Sequence, residues 1–172
     1  FFVACETDFG YGVDRTGLGS CDIFISFKNG NTSDKSVAGW AKPKNIGAPV
    51  STKWWETQPG FSSDGKTLYF IRGITDAKGK SAQDIYTSTM KADGKWTNPV
   101  KLSNKINTPF SEESVFIHPD NQTLYFSSDG HPGMGGLDIF MSRRQPNGEW
   151  GEPVNLGYPI NTYNDANSLL VS

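Results

Sequence analysis

Histidine and cysteine are scarce in this chain, charge of either sign is not in excess, and long apolar runs are missing. The two histidines, His118 and His131, sit apart beside turns. Neither a Ser-His-Asp order nor a His-Glu-x-x-His spacing accompanies them, which sets aside triad hydrolases and zinc proteases. Sixteen Lys+Arg against eighteen Asp+Glu leave a net charge of −2 over 172 residues. No basic surplus is available to neutralise a phosphate backbone, so nucleic-acid binding is excluded as a class. No stretch approaches the ~20 apolar residues of a membrane helix. An Asp-x-Asp-x-Asp calcium loop is absent. Gly133, Gly135 and Gly136 lack both the spacing and the following helix of a phosphate cradle and read as a tight strand connection. No metal or cofactor is expected. What the chain does have is 19 glycines and 10 prolines, too many helix breakers for a bundle, and a 13% share of aromatic rings from which to build a core.

Internal repetition dominates what remains. Asp22-Ile23-Phe24, Asp84-Ile85-Tyr86 and Asp138-Ile139-Phe140 recur, each followed by a tryptophan, Trp40, Trp96 or Trp150, at spacings of 56 and 54 residues. Extra length in the first copy falls in a polar loop, 28–39, where added residues cost little. Ser63-Asp64-Gly65-Lys66-Thr67-Leu68-Tyr69-Phe70 parallels Pro119-Asp120-Asn121-Gln122-Thr123-Leu124-Tyr125-Phe126. Asp-Gly and Asp-Asn tolerate positive φ and are hairpin-turn chemistry. Asn107-Thr108 returns as Asn161-Thr162. Each repeat predicts four short strands, in the third copy 114–118, 123–127, 138–142 and 153–156. Four strands, a Trp and a recurring Asp per repeat are the signature of β-propeller blades. The expected fold is all-β, with a first repeat at 1–50 lacking its first strand, a second at 51–106, a third at 107–160 and the first strand of a further one at 161–172. Three repeats close a ring only at prohibitive curvature, so further blades from the same polypeptide are expected.

The run Ser-Asp-Gly-Lys-Thr-Leu-Tyr-Phe, then Asp-Ile-Tyr, Trp, Pro-Val-Lys-Leu and Ile-Asn-Thr resembles the WD-like propeller repeats of TolB-type and OmpA-associated periplasmic proteins of Bacteroidetes. The third repeat is the closest, through Leu124 to Gly130 and Gly133 to Phe140. The resemblance covers essentially the whole chain and is specific for fold. It implies a periplasmic or outer-membrane-associated location and a place in a cell-wall-linked or type IX secretion assembly.

Asp22, Asp84 and Asp138 open equivalent strands. Recurrence in every repeat favours a turn-bonding role over a ligand site. Trp40, Trp96 and Trp150 read as packing residues between blades. Trp54 and Trp55 have no tryptophan counterparts, and adjacent strand residues face opposite ways, so one is expected inside and one outside, beside Glu56. Glu112 and Glu113 diverge for the same reason and make a poor acid–base couple, although Glu56 from another repeat would supply a second carboxylate for a glycosidase. Cys5 and Cys21 fall at facing ends of neighbouring antiparallel strands, which predicts a disulfide and an oxidising compartment. Sequons at Asn31 and Asn121 are incidental in a bacterial protein. The function expected is a non-enzymatic scaffold or interaction module of the cell envelope. It would bind a protein partner, with peptidoglycan or another glycan as the alternative, through face loops 6–20, 43–57, 72–82, 99–113, 129–137 and 153–167. Trp54, Trp55, Glu56, Glu112, Glu113 and His131 are the expected contacts. The competing class is a carbohydrate-binding or glycan-processing propeller.

Overall fold

The computed structural model describes residues 2–5, 21–28, 39–41 and 43–171. The regular structure among them is β, without a helix, in three antiparallel sheets. Sheet 1 holds β1 (Phe2–Cys5), β2 (Cys21–Ile25) and β3 (Lys44–Asn45). Sheet 2 holds β4 (Trp55–Phe61), β5 (Thr67–Thr75), β6 (Ser81–Thr89) and β7 (Val100–Lys101). Sheet 3 holds β8 (Glu112–Ile117), β9 (Thr123–Ser128), β10 (Asp138–Arg143) and β11 (Val154–Asn155). In each sheet the strands lie side by side in chain order. The β4–β5 and β8–β9 turns place Gly65 at φ 68° and Asn121 at φ 55°, the left-handed region that Gly and Asn enter most cheaply. Asp64 and Asp120 complete the turns by accepting backbone N–H bonds from Lys66 and Gln122.

The apolar residues of the strands form two cores between sheets. Ile23 and Val50 meet Leu68, Phe70 and Trp96 between sheets 1 and 2. Tyr69, Ile71, Ile85 and Ile106 meet Ile117, Leu124, Phe126, Phe140 and Trp150 between sheets 2 and 3. Trp150 packs back onto sheet 2, edge-on to Tyr69 at 6.5 Å, while Trp96 joins the core shared with Ile23 and Val50 and sits edge-on to Phe61 of its own sheet at 5.7 Å. Trp40, their counterpart in sheet 1, is 48% exposed.

Buried asparagines stitch the chain that leaves sheets 2 and 3 to the sheet it leaves. Asn107 accepts the Ile85 N–H at 2.8 Å and donates to the carbonyls of Ile85 and Leu102, both at 3.0 Å. Asn161 does the same to Ile139 at 2.8 Å in both directions. The equivalent in sheet 1 is Ser51, whose buried hydroxyl has no partner among the described residues.

In sheet 1, β1 and β2 are in register so that Cys5 lies opposite Cys21. Cys21 is disulfide-bonded and Cys5 is the only other cysteine in the chain. At the other end, 168–171 differ from the expectation of a strand. Strand structure needs a partner backbone, and none of the described residues forms a ladder with them, β1 included. The loop 6–20 and the Asn31 sequon lie outside the described residues.

Candidate functional site

Antiparallel order puts the starts of β4, β6, β8 and β10 at one end of the sheets, together with the β5–β6, β7–β8 and β9–β10 connections. The sequence-predicted contacts gather at this end, five of them at or just before the starts of β4 and β8 and His131 on the β9–β10 connection. Their chemistry is set first by what anchors the loops.

The anchors are two of the expected contact residues. Glu56 and Glu112 are both at 0% exposure. Glu56 accepts the Thr52 hydroxyl at 2.6 Å and the Thr52 N–H at 3.1 Å. Glu112 accepts the Thr108 hydroxyl at 2.9 Å and the Thr108 N–H at 3.1 Å. Each carboxylate therefore ties the incoming loop to the first strand of its sheet. Across that strand, Glu56 meets the Arg72 guanidinium at 2.9 Å, and Glu112 meets the Ser128 hydroxyl at 2.8 Å. Burial outweighs these bonds in both. It lifts the Glu56 carboxyl above its usual range despite the Thr52 and Arg72 contacts, and pushes Glu112, which has no cation beside it, up to about 7. These two carboxylates are loop latches rather than contact groups on the surface. Glu113 is half-buried beside the β8 register shift. The signal in the sequence was Thr-x-x-x-Glu, present at Thr52 and Glu56 and again at Thr108 and Glu112. In the third copy Thr162 is followed by Ala166.

The latching threonines also shape the loop tips. Each hydroxyl oxygen accepts a backbone N–H two residues on: Trp54 at 3.1 Å, Phe110 at 3.1 Å and Asn164 at 3.2 Å. Equivalent positions thus present Trp54 and Phe110, and Phe110 is 60% exposed. Trp54 and Trp55 do not divide into one core and one surface residue. Both are half-buried, because Trp54 still belongs to the turn while Trp55, at the start of β4, lies over Gly73. A β-carbon at position 73 would collide with the indole, so glycine is required there. Lys53 Nζ stands 4.8 Å from the Trp54 ring centroid. On the neighbouring connections, Met134, Tyr158 and Tyr163 are exposed, Tyr163 at 84%.

His131 is half-buried between Phe126 and Phe140, with ring centroids 5.7 and 5.1 Å away. Its Nε2 is 2.9 Å from the Ile106 carbonyl, so it clamps the β9–β10 loop to the β7–β8 loop. The three recurring aspartates are buried, but only Asp138 opens its strand: Asp22 is second in β2 and Asp84 fourth in β6, because β6 extends back to Ser81 to pair with the end of β5. Asp138 accepts N–H bonds from Met134 and, at 3.3 Å, Gly135, which holds the Gly-rich loop against it. Asp84 instead pairs with Lys101 at 2.7 Å. Among the described residues no group of three or more His, Cys, Asp or Glu side chains is placed to hold a metal ion, and no helix is long and apolar enough to cross a membrane. Comparison with protein-family models gave no match, and comparison with curated proteins gave none either.

Proposed function

We propose that this chain is a non-enzymatic interaction module of the bacterial cell envelope, and that its three sheets are consecutive blades of a propeller. It binds a protein partner through the connections at the β4, β6, β8 and β10 starting end. The observation that carries this reading is Phe110. A large ring stands mostly in solvent on a loop whose backbone is fixed by Thr108, itself held by buried Glu112. Aromatic groups offered on preorganised loops lose little freedom on binding and make effective anchors. Trp54, Met134, Tyr158 and Tyr163 extend the offer along the same end. The non-enzymatic part is supported by the burial of Glu56 and Glu112, which leaves the expected carboxylates no access to a substrate. The disulfide supports an oxidising compartment such as the periplasm.

A photo-crosslinking residue placed at 110 in cells is expected to trap one discrete protein species, and the same residue at 147, on a turn at the opposite end, to trap none. Equal trapping from both positions, or none from 110, sinks the reading. Hydrolysis of a glycan or peptide by the purified chain, lost in Glu112→Gln, would overturn its non-enzymatic part.

A further inference from the structure

The apolar contact between sheets 2 and 3 does not reach the outer edge. Past Tyr69 and Trp150 it opens into a cleft of about 450 Å³, within the size range of small-molecule sites. Its floor is formed by Thr67, Thr87 and Thr89 of β5 and β6, with Thr67 and Thr89 directly paired and Thr87 opposite Tyr69. One wall carries Lys101, Ser103 and Lys105. The other is the β10–β11 turn with Arg144 and Glu149.

Arg144 is held in place before any ligand arrives. Its Nη1 donates to the Gly148 carbonyl and its Nη2 to the Tyr69 hydroxyl, both at 3.0 Å, and its guanidinium lies 4.5 Å from the Trp150 ring centroid. No carboxylate among the described residues forms an ion pair with it, whereas Lys101 has Asp84 at 2.7 Å and Lys105 has Glu152 at 3.2 Å. Glu149, the one acidic group on the lining, accepts from Asn147 at 3.0 Å. Asp84 and Glu152 balance the two lysines, so the cation left for an anionic ligand is Arg144. Among the described residues the hydroxyls of Thr67, Thr87 and Thr89 find no hydrogen-bond partner, unlike those of Thr52, Thr97, Thr108 and Thr123.

The repeats provide an internal control. Arg144 bridges to Trp150 as Met90 bridges to Trp96. By the same register Ile25 takes the place of Thr87, Asn45 that of Lys101, and Phe27 that of Thr89 in the contact between sheets 1 and 2. Pro49 stands where Lys105 does. At the equivalent place the fold accepts Ile, Phe, Met, Asn and Pro, so the threonines and Arg144 of the second cleft answer no demand of the architecture.

We propose that the cleft between sheets 2 and 3 binds an acidic saccharide, with the Arg144 guanidinium taking its carboxylate and the threonine hydroxyls its ring hydroxyls. A planar guanidinium matches a carboxylate through paired N–H donors. Adjacent hydroxyls that both donate and accept suit a polyhydroxylated ring better than a bare anion. This site is separate from the loop end, and either can fail without the other.

The test is a titration of the whole chain with digalacturonate, followed by amide and indole chemical shifts, beside galactobiose and inorganic phosphate. Saturable digalacturonate binding is expected, with shifts at Thr87, Thr89 and Trp150 and no comparable response to galactobiose. Arg144→Met installs the residue that the second repeat carries at that place. It is expected to weaken binding about tenfold, the loss of one charge-assisted hydrogen bond, while the thermal midpoint stays near that of the parent. No saturable binding, undiminished binding in Arg144→Met, an equal response to galactobiose, or phosphate binding as tightly as digalacturonate would each overturn the proposal.

Discussion

Glu56 and Glu112 hold the same loop in two repeats, yet the group facing them is Arg72 in one and Ser128 in the other. The same substitution at the two sites should therefore act in opposite directions. Glu112 keeps a proton in the folded chain up to about pH 7, against an ordinary value of 4.5. Between those limits the folded state binds more protons than the unfolded one. Stability from this group is full below pH ~4.5 and falls as pH rises through about 7, by roughly 1–3 kcal/mol. Glu112→Gln should flatten that slope and leave the variant more stable than the parent at pH 8. Glu56→Gln strands a buried guanidinium opposite a neutral amide and should cost on the order of 3 kcal/mol at the same pH. Urea unfolding of both variants at pH 5 and pH 8 checks this; equal losses at the two sites would contradict it. The sequence placed these residues correctly in the repeat but not in space. A carboxylate after a turn reads as a surface group until the Thr-x-x-x-Glu pairing is recognised as a capped loop.

At the scale of the element, strand ends were legible because turn chemistry marks them. Asp64-Gly65 and Asp120-Asn121 bracket β5 and β9, and the predicted strand 123–127 stops one residue short of the observed Ser128. Trp54 and Trp55 escaped because alternation applies only within a strand, and the strand begins at Trp55. The connections depend on single side chains. Asn107 supplies three hydrogen bonds to one junction, so Asn107→Ser, which borrows the residue of sheet 1, should lower stability by roughly 2–3 kcal/mol. Denaturant unfolding measures it, and a loss under about 0.5 kcal/mol would show that the backbone reorganises to replace those bonds. Sheet 1 is fastened at a different place, by the covalent link at the facing ends of β1 and β2. The cross-link encloses 15 residues, 6–20. Replacing both cysteines with serine should cost about 3 kcal/mol on the loop-entropy account. An unchanged midpoint in a thermal melt would show that sheet 1 does not depend on it.

For the molecule as a whole, the all-β class and the repeat were readable because a period near 55 residues survives in Asp, Trp and turn positions. The cleft was not, because its lining spans 67 to 150 and only inter-sheet packing brings those residues together. Packing also ranks the tryptophans. Trp96→Ala and Trp150→Ala each empty an inter-sheet core and should cost about 3–5 kcal/mol, whereas Trp40→Ala should cost under about 1 kcal/mol. Similar losses at all three would mean that Trp40 is covered in solution. Among the described residues the strands of sheets 1 and 3 make no contact with each other, and those of each meet sheet 2. Such a row behaves as coupled nearest neighbours: opening an outer member breaks one junction, while opening the middle breaks two. In heavy water the amides of β5 and β6 should then be the last to exchange. The central sheet would keep the memory of the fold after both flanks have begun to breathe.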